Sequence, residues 1–202
     1  MEEEELLLGQ QTEKKTMDHV IKYQDLLEKA RNDHDTSIIP NDNILNTYCV
    51  LIEMLKHCNE IRIYCGEARL FTKKGIERLG QVGDKDVVKY LYSELINALN
   101  DFLSNPNKSL SIISERQPGD LLGKIKRIVL NKKNFSLSLL KEDKISKFEY
   151  HFMVGDTAIY RREISHPDKK GIVRRFSESC EDLKNLFNAY NNNLFIKNLT
   201  IA

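Results

Sequence analysis

No run of apolar residues in this chain approaches the ~18 needed to cross a membrane, so no membrane span is expected. Basic residues are missing from the first eight positions, MEEEELLL, which carry four acids where a secretory signal needs positive charge ahead of a longer apolar region. A cytoplasmic protein is the expectation. The four cysteines (Cys49, Cys58, Cys65, Cys180) include no Cys-x-x-Cys pair and lie in apolar surroundings, which predicts buried, reduced thiols. His57, Cys58 and Cys65 have no fourth partner at ligand spacing, so no metal site is expected. Glycine is scarce too, nine residues in all, and Gly66, which closes an apolar run, is followed by Glu-Ala-Arg without the further glycines and the lysine of a phosphate-binding loop. Cys65 has no motif that pairs it with a base, which leaves core packing as its reading. No cofactor follows from any of these residues, and no internal repeat or low-complexity tract is present.

Hydrophobic residues make up 41% and charged residues 30% of 202 positions, the balance of a globular chain long enough to bury a core without staples. Its net charge of +1 conceals an asymmetry. Up to Asn105 there are 13 Lys+Arg against 19 Asp+Glu, or −6; from Pro106 onward there are 18 against 11, or +7. The excess gathers at Lys124, Lys126, Arg127, Lys132 and Lys133, and at Arg161, Arg162, Lys169, Lys170, Arg174 and Arg175. The second group, on adjoining strands, is a candidate anion-binding face for nucleic acid or another polyanion. Such runs also serve as plain solvated faces, or face the acidic half of the same chain or of a second copy.

The stretch Tyr150 to Phe176 organises the rest. Its β-formers fall into three runs bounded by Gly155-Asp156 and by Ser165-His166-Pro167-Asp168, and Gly155, free to take positive φ, predicts a tight hairpin between Val154 and Thr157. Upstream, Met17, Val20, Ile21, Gln24, Leu27 and Ala30 mark a narrow apolar stripe on a helix over 12–33. Pro40 disfavours helix before it, making 35–42 the linker candidate. Asn43 caps a second helix with a wide apolar stripe reaching about His57. Then come a strand at 60–66, helices at 70–79 and 87–103, a strand at 110–113, a helix capped by Asp120, a strand at 135–140 and a final helix at 181–190. The asparagines 191–193 predict a frayed end. The fold class is therefore α/β, a mixed sheet covered by helices, divided into an acidic helical extension and linker (1–42), an α/β domain (43–193) and a tail (194–202).

That order of elements, with His151, Phe152, Val154 and Asp156 followed by Tyr160, Arg161 and Glu163, resembles one half-unit of the phospholipase D-like superfamily over roughly residues 44–190. The resemblance implies a site in which a histidine attacks phosphorus, aided by a lysine two residues later and an aspartate five after that, with two half-units meeting. His151 fits the first position, whereas Met153 and Ala158 stand at the other two. The motif is incomplete. The expected function is a non-catalytic binding or regulatory module for an anionic partner, nucleic acid or protein, and self-association is implied because one half-unit pairs with another. The alternatives are a phosphodiesterase or nuclease using His151 across a dimer, with Glu163, Arg161 or Arg162 supplying the lost groups, and a structural subunit that binds another protein through helix 12–33.

Overall fold

The computed structural model describes residues 15–142, 151–157, 159–163, 171–175, 179–192 and 196–199. Lys169 and Lys170 lie outside them, as do Tyr150, Ala158, the predicted turn at 165–168 and Phe176.

The chain runs α1 (Met17–Asn32), β1 (Ile39–Asn41), α2 (Ile44–His57), β2 (Glu60–Cys65), a 3₁₀ turn (Arg69–Phe71), α3 (Lys73–Val82) and α4 (Lys85–Ser104). It continues through β3 (Ser109–Ser114), α5 (Gly123–Val129), β4 (Phe135–Leu140), β5 (Phe152–Gly155), β6 (Ile159–Glu163), β7 (Gly171–Arg175), α6 (Ser179–Tyr190) and β8 (Ile196–Asn198). One mixed sheet takes the order β1-β7-β6-β5-β2-β3-β4-β8. Its β2, β3 and β4 are parallel and joined by helical crossovers, while every other pairing is antiparallel. The expected α/β class, a mixed sheet covered by helices, is what the chain adopts.

Sequence explains most of the elements locally. The Asn43 side chain accepts the Asn46 N–H at 3.0 Å and Asp84 accepts that of Val87 at 2.8 Å, which starts α2 and α4. From Leu45 to Leu55 all but Glu53 are buried, so α2 is the central helix of its layer, with α1 and α4 beside it. The main core holds Ile61, Ile63, Leu110, Ile112 and Leu137 from the sheet together with these helices. Phe152 and Val154, predicted for that same core, point to the other face, where they pack with Tyr64, Tyr160 and α6 residues Cys180, Leu183 and Phe187. The correction follows from pleating: neighbours along a strand go to opposite faces, and here both faces are covered.

Five further expectations give way. The buried stripe of α1 is Val20, Tyr23, Leu27 and Ala30, whereas Ile21 is 46% exposed. Residues 35–42 hold strand β1 rather than a linker, with Ile39 and Asn41 buried, since an outer strand tolerates Pro40. Asp120 does not cap α5: Leu121 bridges to Thr72 and the Leu122 N–H bonds the Phe71 carbonyl at 3.1 Å, so the helix opens only at Gly123. The tail beyond residue 193 contains β8, paired with β4 and burying Ile196. At the predicted hairpin, no described glycine has positive φ. Gly155 sits inside β5, where an added Cβ would lie 2.5 Å from the Cys58 sulfur, and Asp156 closes the corner by accepting the Asn59 N–H at 2.8 Å.

Candidate functional site

Parallel β2 and β3 end together, and because β5 runs antiparallel to β2, the start of β5 and the end of β6 arrive at the same edge of the sheet. Gly66, Glu115, His151 and Glu163 therefore converge there. Crevices beyond the carboxyl ends of parallel strands are where open α/β sheets bind ligands. A cavity of about 450 Å³ occupies this place, roofed by the turn at Ala68–Phe71, by Arg78 and Val82 of α3 and by Ile44 and Thr47 of α2. Ala68 at its lip holds φ 50°, ψ 33°, the left-handed region, a conformation that is strained for a residue with a side chain.

His151 stands between two carboxylates. Its Nδ1 lies 3.0 Å from Glu163 Oε2 and its Nε2 lies 3.4 Å from Glu115 Oε2, while the Tyr64 hydroxyl donates to the other Glu115 oxygen. Its ring packs over Gly66, where a Cβ would come within 3.2 Å of Cε1. Burial pulls the imidazole pKa down, but Glu115 and Glu163 more than reverse that and hold it at about 9. Burial first, then the bond to Glu115, pushes the Tyr64 hydroxyl well above its ordinary value. Desolvation likewise pushes the Cys65 thiol up to about 12, so it carries no thiolate at neutral pH.

The polar contacts continue inward. Arg161, buried, comes within 3.7 Å of Glu163 Oε1 and donates from Nε to Asn41 Oδ1 at 2.9 Å. Asn41 Oδ1 also accepts from Thr47 at 2.9 Å, and Asn41 Nδ2 donates to the Tyr23 hydroxyl at 3.3 Å. An unbroken series of contacts thus links the cavity to α1. On the cavity's other side, Glu67 accepts from Arg69 Nε at 2.7 Å and sits 3.9 Å from Arg116, and the bond to Arg69 is the first cause holding its carboxyl below the usual range.

His151 and Glu163, the two candidate catalytic residues, are in contact, and Arg161 lines the same cavity. Of the six candidate anion-binding residues, the four that are described, Arg161, Arg162, Arg174 and Arg175, do not share one face. Arg175 is 2% exposed and pairs with Glu53 at 2.6 Å, on the helix side of the sheet with Arg161. Arg162 and Arg174 occupy the opposite face; Arg162 is exposed, and Arg174 donates to the Thr36 carbonyl at 2.9 Å. Alternation along β6 and β7 divides each Arg-Arg pair between the two faces. Met153, at the resemblance's lysine position, is buried against the main core. Among the described residues no group of three or more His, Cys, Asp or Glu is placed to hold a metal ion, and no helix is long and apolar enough to cross a membrane.

Sequence reasoning missed Glu115, Tyr64, Glu67, Arg69, Arg78 and Arg116. Four of these immediately follow the two parallel strands, in Gly66-Glu67-Ala68-Arg69 and in Glu115-Arg116. Charged residues just past parallel strands were the available signal.

No protein-family model matches the chain, and no curated protein matches it. Among solved structures, one described as that of TrmBL2, an archaeal chromatin protein showing a novel mode of DNA binding, superposes with a TM-score of 0.46 at 15% identity. The match covers 84% of this chain, and the chain spans 58% of that protein's length.

Proposed function

We propose that the chain is a non-catalytic binding module for an anionic partner, a phospholipase D-like half-unit whose histidine has become part of the scaffold. The observation that carries this is the double clamp on His151. A nucleophilic imidazole offers the lone pair of one nitrogen to phosphorus while the other is held in place. Here a carboxylate faces each nitrogen, and with a pKa of about 9 the ring is an imidazolium at neutral pH, without a lone pair to give. Met153 brings neither charge nor hydrogen-bond donor to a phosphate. In favour of an anion stand the guanidinium groups of Arg69, Arg78 and Arg116 around the cavity, and Arg162 and Arg174 on the opposite face. Pairing of two copies belongs to the same reading, since half-units of this kind meet in twos.

Two measurements test it. Purified protein offered bis(p-nitrophenyl) phosphate without metal is expected to show no turnover above background from pH 5 to 10; turnover that disappears in His151→Ala would overturn the non-catalytic assignment. A labelled DNA oligonucleotide, polyglutamate and phenyl phosphate then serve as anions of three classes. Saturable binding of at least one, weakening as salt rises from about 50 to 200 mM, is expected, and no binding of any at low salt would sink the proposal.

A further inference from the structure

We infer that the cavity at the carboxyl ends of β2 and β3 takes a small amphipathic anion, a carboxylate or phosphate carried on an apolar body, with Arg78 as its anchor. This rests on the binding-module reading and specifies its ligand. Arg78 of α3 is half-buried in the lining, and among the described residues no carboxylate, carbonyl or ring partners its guanidinium. Its neighbours in charge are already engaged: Glu67 with Arg69 and Arg116, Glu115 with Tyr64 and His151, Glu163 with His151 and Arg161. The remaining acid of the lining, Asp42, is exposed. Five cationic groups (Arg69, Arg78, Arg116, Arg161 and protonated His151) and four carboxylates line the cavity, a net charge of +1, and of the five cations Arg78 is the one with no partner among the described residues.

A guanidinium offers a planar fork of donors that matches a carboxylate or phosphate with two parallel hydrogen bonds. Half-burial strengthens that bond relative to one formed in water. The same lining includes Ile44, Leu70, Phe71, Val82 and Met153, apolar side chains that suit a hydrocarbon or aryl body. The volume of about 450 Å³ lies within the range of small-molecule sites, ~300–1,000 Å³, and is too small to admit a duplex or a folded protein.

Calorimetric titration of the full chain with phenyl phosphate and phenylacetate tests the assignment, with inorganic phosphate and benzyl alcohol as the separate halves. At least one aryl anion is expected to bind one to one, ten-fold or more tighter than either half. Arg78→Ala is expected to weaken it at least ten-fold and Arg78→Lys by less, with thermal melts confirming that both variants fold, while Lys89→Ala, at an exposed position of α4 outside the lining, leaves affinity unchanged. The assignment fails if neither aryl anion saturates, if folded Arg78→Ala binds as well as the parent, or if Lys89→Ala weakens binding as much as Arg78→Ala does. An oligonucleotide that binds when neither aryl anion does would remove this inference and leave the broader proposal standing; failure of every anion removes both.

Discussion

At His151, burial and charge pull in opposite directions, and the outcome decides the chemistry of the site. Desolvation favours the neutral ring, but two carboxylates at 3.0 and 3.4 Å outweigh it and lift the pKa to about 9. Because the folded value lies above the unfolded ~6.5, the stabilisation is complete below pH ~6.5 and drains away as pH rises through about 9. Its full size is on the order of 3 kcal/mol. Urea titrations at pH 7 and pH 10 are expected to show a clear loss of stability in the parent that is much smaller in His151→Gln; parallel losses in both proteins would mean that the clamp does not set the proton affinity. His151 and Glu163 were legible in the sequence, being twelve positions apart on strands that a turn brings together. Glu115 was not, because it arrives from a parallel strand through a long crossover and nothing in its local sequence shows which strand lies next to it.

Among the elements, the hairpin of β5 and β6 shows how a correct strand assignment can rest on the wrong reason. Gly155 is required for space: its backbone passes so close to Cys58 that a methyl group would meet the sulfur at 2.5 Å. Gly155→Ala is expected to cost about 1–3 kcal/mol through overpacking. Cys58→Ala vacates the sulfur's place, so the double variant should be more stable than the sum of the single losses predicts. Strict additivity in denaturation experiments would deny the contact. The register of β6 against β7 had larger consequences for function. Reading Arg161-Arg162 and Arg174-Arg175 as one basic patch ignored the two-residue period that sends alternate side chains to opposite faces. Arg161 and Arg175 both turn toward the helices, where Asn41 and Glu53 meet them. The sequence carried the alternation but not the partners, which come from more than a hundred residues away.

Across the whole molecule, the charge asymmetry between the two halves is partly spent internally. Arg175 of the basic half meets Glu53 of the acidic half, and Glu53 also contacts Arg31 at 3.1 Å and His57 at 3.5 Å. Fold class was readable because each strand and helix announces itself locally; the outer strands β1 and β8 were not, being three residues long and recognisable only by what they pair with. Those short outer strands also bear on edge-to-edge assembly. An uncovered row of backbone donors and acceptors is a template on which further chains assemble into fibres. On β1 both kinds of group are withdrawn: Pro40 has no N–H, and its carbonyl already accepts the Tyr23 hydroxyl at 3.0 Å. At the other side β8 presents the exposed Lys197. Tyr23→Phe combined with Pro40→Val would restore a donor and free an acceptor together. Incubated warm at equal protein concentration, that variant is expected to give thioflavin T-positive fibrils after a shorter lag than the parent, and an unchanged lag would mean that the proline and phenol do not guard this side. In the native chain the donor is missing and the acceptor occupied, so an added strand would find neither half of its first hydrogen-bonded pair at Pro40.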